Sequence, residues 1–275
     1  MSPRVAVVTI AHGRHAHLAA QHRSLAAGDR RPDDYVVVAM DDPGIRSCCV
    51  EDLRSRVVRV PTDPRGLPLA RARNRGVRAA LDAGADVVVC LDVDCLAGPG
   101  LVASYAERVD ARPTTVWQGP VTYLQPHDGD GYPLDRLGEL DDPHPARPAP
   151  VPGEVELDAA PELFWSLSFA LSRTAWERSG GFCPEYVGYG AEDTDFGRTL
   201  VARGLTLAWD GAARAYHQHH AVSRPPVEHL DDILRNAATY HRRWGEWPMT
   251  GWLEEFERLG IAARRGERWV RTATA

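Results

Sequence analysis

Val87-Val88-Val89-Cys90-Leu91-Asp92-Val93-Asp94 carries an apolar run straight into two carboxylates. The run is short and β-branched, and it lies between Gly84 and Gly98-Pro99-Gly100. That combination predicts a strand buried on both faces, as in a parallel sheet, and not a helix. The carboxyl end of such a strand is where open α/β sheets hold their ligands. In an extended chain Asp92 and Asp94 point the same way, so both would face one crevice. Carboxylates that close repel unless a cation lies between them, and a divalent metal carrying a phosphorylated ligand meets that need. A D-x-D by itself is equally consistent with Asp in a polar turn.

The preceding chain predicts the partners of this strand. Residues 5–10 and 35–40 are apolar and β-branched, with a weaker strand at 57–60. Between them, a helix is predicted over about 15–27, ended by Gly28. Another over about 67–83 carries Leu67, Ala70, Asn74, Val77 and Leu81 near the 3.6 period and stops at Gly84. This alternation predicts a mainly parallel, nucleotide-binding α/β sheet flanked by helices. Neither G-x-G-x-x-G nor G-x-x-x-x-G-K-[ST] is present, which excludes a dinucleotide fingerprint and a P-loop.

The 275 residues are 44% hydrophobic and 25% charged, an ordinary globular composition. The formal charge of -6 offers no bulk attraction to nucleic acid. All 32 basic residues are Arg, whose guanidinium forks suit phosphates. Cys48, Cys49, Cys90, Cys95 and Cys183 are odd in number and form no C-x-x-C, so neither a disulfide framework nor a zinc knuckle is read. With no signal peptide and no run near the ~20 apolar residues of a membrane span, a cytoplasmic location is expected, with membrane contact at most peripheral.

Downstream, a helix is predicted over about 99–109 and a strand over 115–121. Residues 125–154 turn to Pro, Gly and Asp, which reads either as a functional lid or as an unstructured segment. Its acids, including Asp128 and Asp130, lack EF-hand spacing. A strand at 164–171 precedes a helix over 173–179 capped by Ser172. Gly180-Gly181-Phe182 and Gly188-Tyr189-Gly190-Ala191-Glu192-Asp193-Thr194-Asp195 follow. The acids begin a helix that runs to Arg203 and ends at Gly204. They suit its positive end, so capping alone could account for them. After a strand at 206–209, His217, His219 and His220 gather within four residues. Carboxylate plus imidazole suits Mn2+. Amphipathic helices are predicted at about 227–244 and 252–259, with Trp244, Trp247 and Trp252 as packing anchors.

On these motifs the chain resembles a GT-A-fold glycosyltransferase, close to the family 2 group. Its C-terminal half resembles the galactosyltransferase-type module. Leu69-Ala70-Arg71-Ala72-Arg73-Asn74 with Val89–Asp94 is similar to that family's "aRN…fLDaD", and Gly180-Gly181-Phe182 with Gly188–Asp193 is similar to its "GGF…GWGGED". The chain departs from the second motif at Tyr189 and Ala191. The resemblance implies a GT-A domain over 1–222, made of a nucleotide-sugar-binding half (1–121), a variable loop (122–160) and an acceptor and catalytic half (161–222). A C-terminal helical extension would cover 223–275. It implies Asp193 as catalytic base, with Glu192, Tyr189 and Trp165 on the acceptor. It places Thr9, Arg14, Asp41, Arg73, Asp92 and Val93 on the nucleotide and donor. Mn2+ (or Mg2+) would be held by Asp92, Asp94 and His217, in preference to His219 or His220.

The implied activity is inverting, metal-dependent transfer of a sugar from a UDP-linked donor to an acceptor hydroxyl. Two rivals remain. A sugar nucleotidyltransferase would need a Gly-rich phosphate loop after the first strand, for which His12-Gly13-Arg14 is a poor substitute. A non-catalytic nucleotide-sugar or glycan-binding protein of the same fold would not need the full set of acid, base and His.

Overall fold

In the computed structural model, described for residues 2–49, 53–127, 129 and 131–272, β4 (Val87–Leu91) is buried on both faces. Val88 and Cys90 enter one apolar layer, while Val87, Val89 and Leu91 enter the other. In chain order the first half comprises β1 (Val5–Ala11), α1 (His15–Ala27), β2 (Asp34–Met40), α2 (Ile45–Cys48), β3 (Ser55–Val60), α3 (Leu69–Asp82), β4, β5 (Cys95–Ala97), α4 (Leu101–Ala111), β6 (Thr115–Gln118) and β7 (Val121–Tyr123). The second half comprises β8 (Val155–Leu157), β9 (Ser168–Ser172), α5 (Arg173–Ser179), α6 (Glu192–Ala202), β10 (Thr206–Asp210), β11 (Ala215–His217), α7 (Leu230–Trp244), α8 (Thr250–Arg258), β12 (Ala262–Arg265) and β13 (Arg268–Arg271).

The main sheet has eight strands in the order β3-β2-β1-β4-β9-β6-β10-β8. The pairs β2–β3, β1–β2, β1–β4 and β6–β10 are parallel, as the alternation predicts. The order reverses between β1 and β4, which opens a crevice at their carboxyl ends. β9 is antiparallel to both β4 and β6. It therefore starts at the ligand end of the sheet, which brings Trp165, Ser166 and Leu167 beside the end of β4.

α3 reaches this crevice because it lies very close to the sheet. A Cβ on Gly76 would collide with Val8 and stand 2.8 Å from Val38 Cγ2, which explains a glycine in a helix interior.

Three expectations change. The strand at 115–121 is split, because Gly119 lies against the Ala213 carbonyl and Pro120 has no N–H to continue the ladder. β7 instead joins β11 and β5 in a three-stranded sheet that delivers His217. Phe164 precedes β9 and packs in the core against Phe169 and Phe196, 5.1 and 5.7 Å away. After α7 and α8, the C-terminal extension ends in the β12–β13 hairpin, turned at Gly266 with φ 61°. Within the 125–154 segment, Leu137 is buried with Leu96, Leu124 and Tyr216. Asp128 and Asp130 lie outside the described residues.

Candidate active site

The chain turns at once after β4: Cys95 N–H donates to the Asp92 carbonyl at 2.9 Å. This turn replaces the extended geometry read from the sequence, and the two carboxylates part. Gln21 holds the turn from beneath. Its Nε2 donates to the Asp92 and Cys95 carbonyls at 2.6 and 2.8 Å, while its Oε1 accepts from Tyr35 Oη at 2.6 Å. Thr9 Oγ1 lies 2.8 Å from the same Oε1 and 2.9 Å from the Leu91 carbonyl. Thr9 is fully buried, so it supports the turn from inside instead of facing a ligand.

Asp92 goes one way. Arg73, only 6% exposed at its side chain, donates from Nη2 to Asp92 Oδ1 at 3.0 Å and from Nη1 to Glu192 Oε1 at 3.1 Å. One guanidinium thus ties the end of β4 to the start of α6. Burial opposes its charge, but Asp92 and Glu192 hold it well above the ordinary arginine range. The two motifs also interlock beside it. Asn74 Nδ2 donates to the Phe182 carbonyl, and Phe182 N–H donates to Asn74 Oδ1, both at 2.8 Å.

Asp94 goes the other way. Its Oδ2 lies 3.5 Å from His217 Nε2 and 3.3 Å from His220 Nε2. Each residue of this group offers one ligand atom, and all three atoms lie within 4.8 Å of one another. The two spacings from Asp94 are close to the ~3 Å edge of an octahedral shell with bonds of about 2.1 Å. One carboxylate and two imidazoles therefore fit a divalent ion such as Mn2+. Burial alone would raise the Asp94 carboxyl, but the two imidazoles hold it far below the usual carboxylate range. His220 Nδ1 lies 3.2 Å from Arg14 Nη2 and 3.3 Å from the Ala221 carbonyl. The tautomer that frees Nε2 for a metal directs the Nδ1 proton to that carbonyl. Asp92, expected among the ligands, lies outside this group, as does His219, whereas His220 joins it.

Glu192 and Asp193 open α6. Ala191, just before them, has φ 70°, a conformation that favours the glycine found there in the motif it resembles. Burial, then the Asp193 charge, pushes the Glu192 carboxyl up to about 7 against Arg73. Burial also raises Asp193, opposed by the Thr194 and Ser166 N–H groups. Tyr189 is 39% exposed and stacks on His229 at 4.6 Å and Trp252 at 5.9 Å. Trp165 is half-buried beside His144 at 5.3 Å, and Val93 is half-buried in the turn itself. Asp41 accepts from the Thr62 N–H and hydroxyl, each at 2.7 Å. Neighbouring Asp42 clasps the first loop through Gly13 N–H at 2.7 Å and His15 Nε2 at 2.8 Å.

The structure adds Gln21, Asp42 and Tyr123 to the residues read from the sequence, and of the two alternative histidines it brings His220 to Asp94. Tyr123 stacks on His217 at 4.6 Å. No local signal marks Gln21, because the buried side of α1 also carries His22 and Ser24.

Fold and site together define the class: the chain has the GT-A fold of glycosyltransferases. Residues 158–241 match the family described as the N-terminal domain of galactosyltransferase. The chain is 30% identical to validoxylamine A glucosyltransferase of Streptomyces hygroscopicus subsp. limoneus, over 85% of this chain and 56% of that protein. It is 29% identical to the protein of that name from S. hygroscopicus subsp. jinggangensis (strain 5008), over 85% of this chain and 61% of the relative. The chain thus spans less than two thirds of these relatives. Among solved structures, S. aureus TarS with UDP-GlcNAc superposes with a TM-score of 0.60 at 13% identity, over 94% of this chain and 78% of TarS. GalNAc-T7 with UDP, GalNAc and Mn2+ gives 0.57 at 17% identity, over 79% of this chain and 44% of that one. The Pyrobaculum calidifontis mannosyltransferase PcManGT with GDP-Man and Mn2+ gives 0.54 at 20% identity, over 90% and 66%. No described helix is long and apolar enough to cross a membrane.

Proposed function

We propose that this chain is an inverting, metal-dependent glycosyltransferase that moves a sugar from a UDP-linked donor to an acceptor hydroxyl. The observation that carries this reading is the pair of groups around the Asp92–Asp94 turn: Arg73 binds Asp92 to Glu192 beside Asp193, and Asp94 meets His217 and His220. Structural neighbours solved with UDP, UDP-GlcNAc or GDP-Man and Mn2+ support a nucleotide-sugar donor and a divalent ion. The relatives' name favours a glucosyl donor.

A bound divalent ion, held by Asp94, His217 and His220, would neutralise diphosphate charge. Arg73 steadies Asp92 toward the donor, and Arg14 and Asp41 border the nucleotide. Asp193 accepts the proton of the acceptor hydroxyl as its oxygen attacks the anomeric carbon, and its raised affinity for a proton suits that task. A single displacement inverts the anomeric centre and needs no covalent intermediate. Glu192 and Tyr189 position the acceptor.

Calorimetry with UDP tests the donor site: binding is expected with Mn2+ and lost with EDTA. Asp193→Asn should cut transfer by about 100-fold or more while UDP still binds. Undiminished transfer by that variant would remove Asp193 from the role. NMR of the product's anomeric proton reads the stereochemistry.

A further inference from the structure

Arg147 lies in the segment between β7 and β8 and is 6% exposed. Two indole faces hold its guanidinium, with the Trp165 and Trp209 ring centroids 5.1 and 4.6 Å away. Nε, Nη1 and Nη2 are all buried, and none has a hydrogen-bond partner among the described residues. Burial pulls the group down to about 10. A buried guanidinium is a donor only, and leaving it unmatched is costly.

Its surroundings repeat the pattern. Gln118 is the register partner of Trp209 and fully buried, with neither amide atom paired among the described residues. Trp209 Nε1 and Ser166 Oγ are likewise unpaired there. The guanidinium, indole, amide and hydroxyl offer far more donors than acceptors. A surplus of buried donors around a fixed positive charge is complementary to an anion. The group borders the proposed transfer site through Ser166, next to Leu167, whose carbonyl accepts from the Asp92 N–H at 3.0 Å. The His144 and Tyr123 rings run from it toward the Asp94 group, in steps of 5.3 Å from Trp165, 5.2 Å to Tyr123 and 4.6 Å to His217.

We propose that Arg147 is a specificity-determining residue of the acceptor subsite, taking a carboxylate or phosphate carried by the acceptor, with Gln118 and Ser166 as neighbouring donors. This rests on the transferase reading above. Contact requires the segment around Arg147 to open. Arg214 pins that segment on either side, through Asp141 at 2.6 Å and the Pro150 carbonyl at 3.1 Å, which confines the opening to the stretch between.

The test is calorimetry of methyl glucoside, glucuronate and glucose 6-phosphate, with and without UDP and Mn2+, on the wild type, Arg147→Gln and Arg147→Met. At least one anionic sugar should bind about tenfold or more tighter than the neutral one, and both variants should lose the difference. The glucuronate and phosphate arms separate the two anions. Equal binding, no anionic binding at all, or a preference that survives both substitutions overturns the proposal. Melting curves check the structural alternative. Removing an unmatched cation in Arg147→Met should leave Tm unchanged or raised. A clear fall in Tm with the anion preference intact would make Arg147 a strut between the indoles. Absence of UDP binding in every form would defeat the transferase reading, while the titrations without UDP still report on Arg147.

Discussion

Ala191 holds a left-handed φ of 70° that an L side chain adopts at a cost of roughly 1 kcal/mol. Ala191→Gly should therefore raise stability by up to about 1 kcal/mol, less what glycine adds to unfolded-state entropy, read as a higher denaturation midpoint. The neighbouring acids Glu192 and Asp193 set a pH dependence. Asp193 must be deprotonated to accept a proton, so activity should rise with pH along an acid limb. The Asp193 charge raises Glu192, whereas Asp193 itself is raised by burial. Glu192 is therefore neutral where Asp193 titrates, and Glu192→Gln should leave the acid limb in place, whatever the loss of rate. A limb moved to lower pH would show that the Glu192 charge raises Asp193 in turn. The stability sign agrees: a carboxyl raised in the folded state costs nothing at low pH and becomes destabilising as pH climbs from its ordinary value, 4.5, through about 7.

Among the elements, α3 and α6 do most to shape the crevice. α3 lies against β1 and β2 only because Gly76 leaves room for Val8 and Val38. Gly76→Ala should push the helix outward, lowering stability by about 1–3 kcal/mol and weakening UDP binding through displaced Arg73. Stability lost with UDP affinity intact would show that the helix yields elsewhere. The acids of α6, which the sequence also allows as simple helix caps, divide three ways. Glu192 meets Arg73, and Asp193 accepts from the Thr194 N–H at 2.7 Å. Buried Asp195 takes Arg243 Nε at 2.6 Å and Trp244 Nε1 at 2.8 Å, fastening α7 to α6. That fastening bears out Trp244 as a packing anchor; Trp247 and Trp252 pack in the α7–α8 cluster.

For the molecule as a whole, metal binding should register as stability. A ligand that binds only the folded state at about 100 times its Kd adds about 2.7 kcal/mol. Mn2+ should therefore raise Tm reversibly, EDTA should cancel the rise, and His220→Ala and Asp94→Asn should each abolish it. His219→Ala should not, because His219 stands outside the ligand group. A shift kept by His220→Ala but lost by Asp92→Asn would restore the pair of carboxylates as the site.

Much of this is legible in the sequence alone. The apolar run of β4, its β-branched neighbours and the 3.6-residue period of α3 are local signals. Burial on two faces or on one stripe leaves such patterns wherever it occurs. The pairing of Arg73-Asn74 with Gly181-Phe182 was legible as motifs, though not as the reciprocal hydrogen bonds that join them. Tertiary structure alone decided where the functional groups point. A period of two holds only while the chain is extended, and the turn after Leu91 is held by Gln21, 71 residues distant. That turn sends Asp92 to Arg73 and Asp94 to the histidines. The choice of His220 over His219 depends on how the chain leaves β11. The isolation of Arg147 between Trp165 and Trp209 depends on three segments that no local pattern relates. Local sequence sets which surfaces are buried; which polar groups then meet is set by long-range contacts.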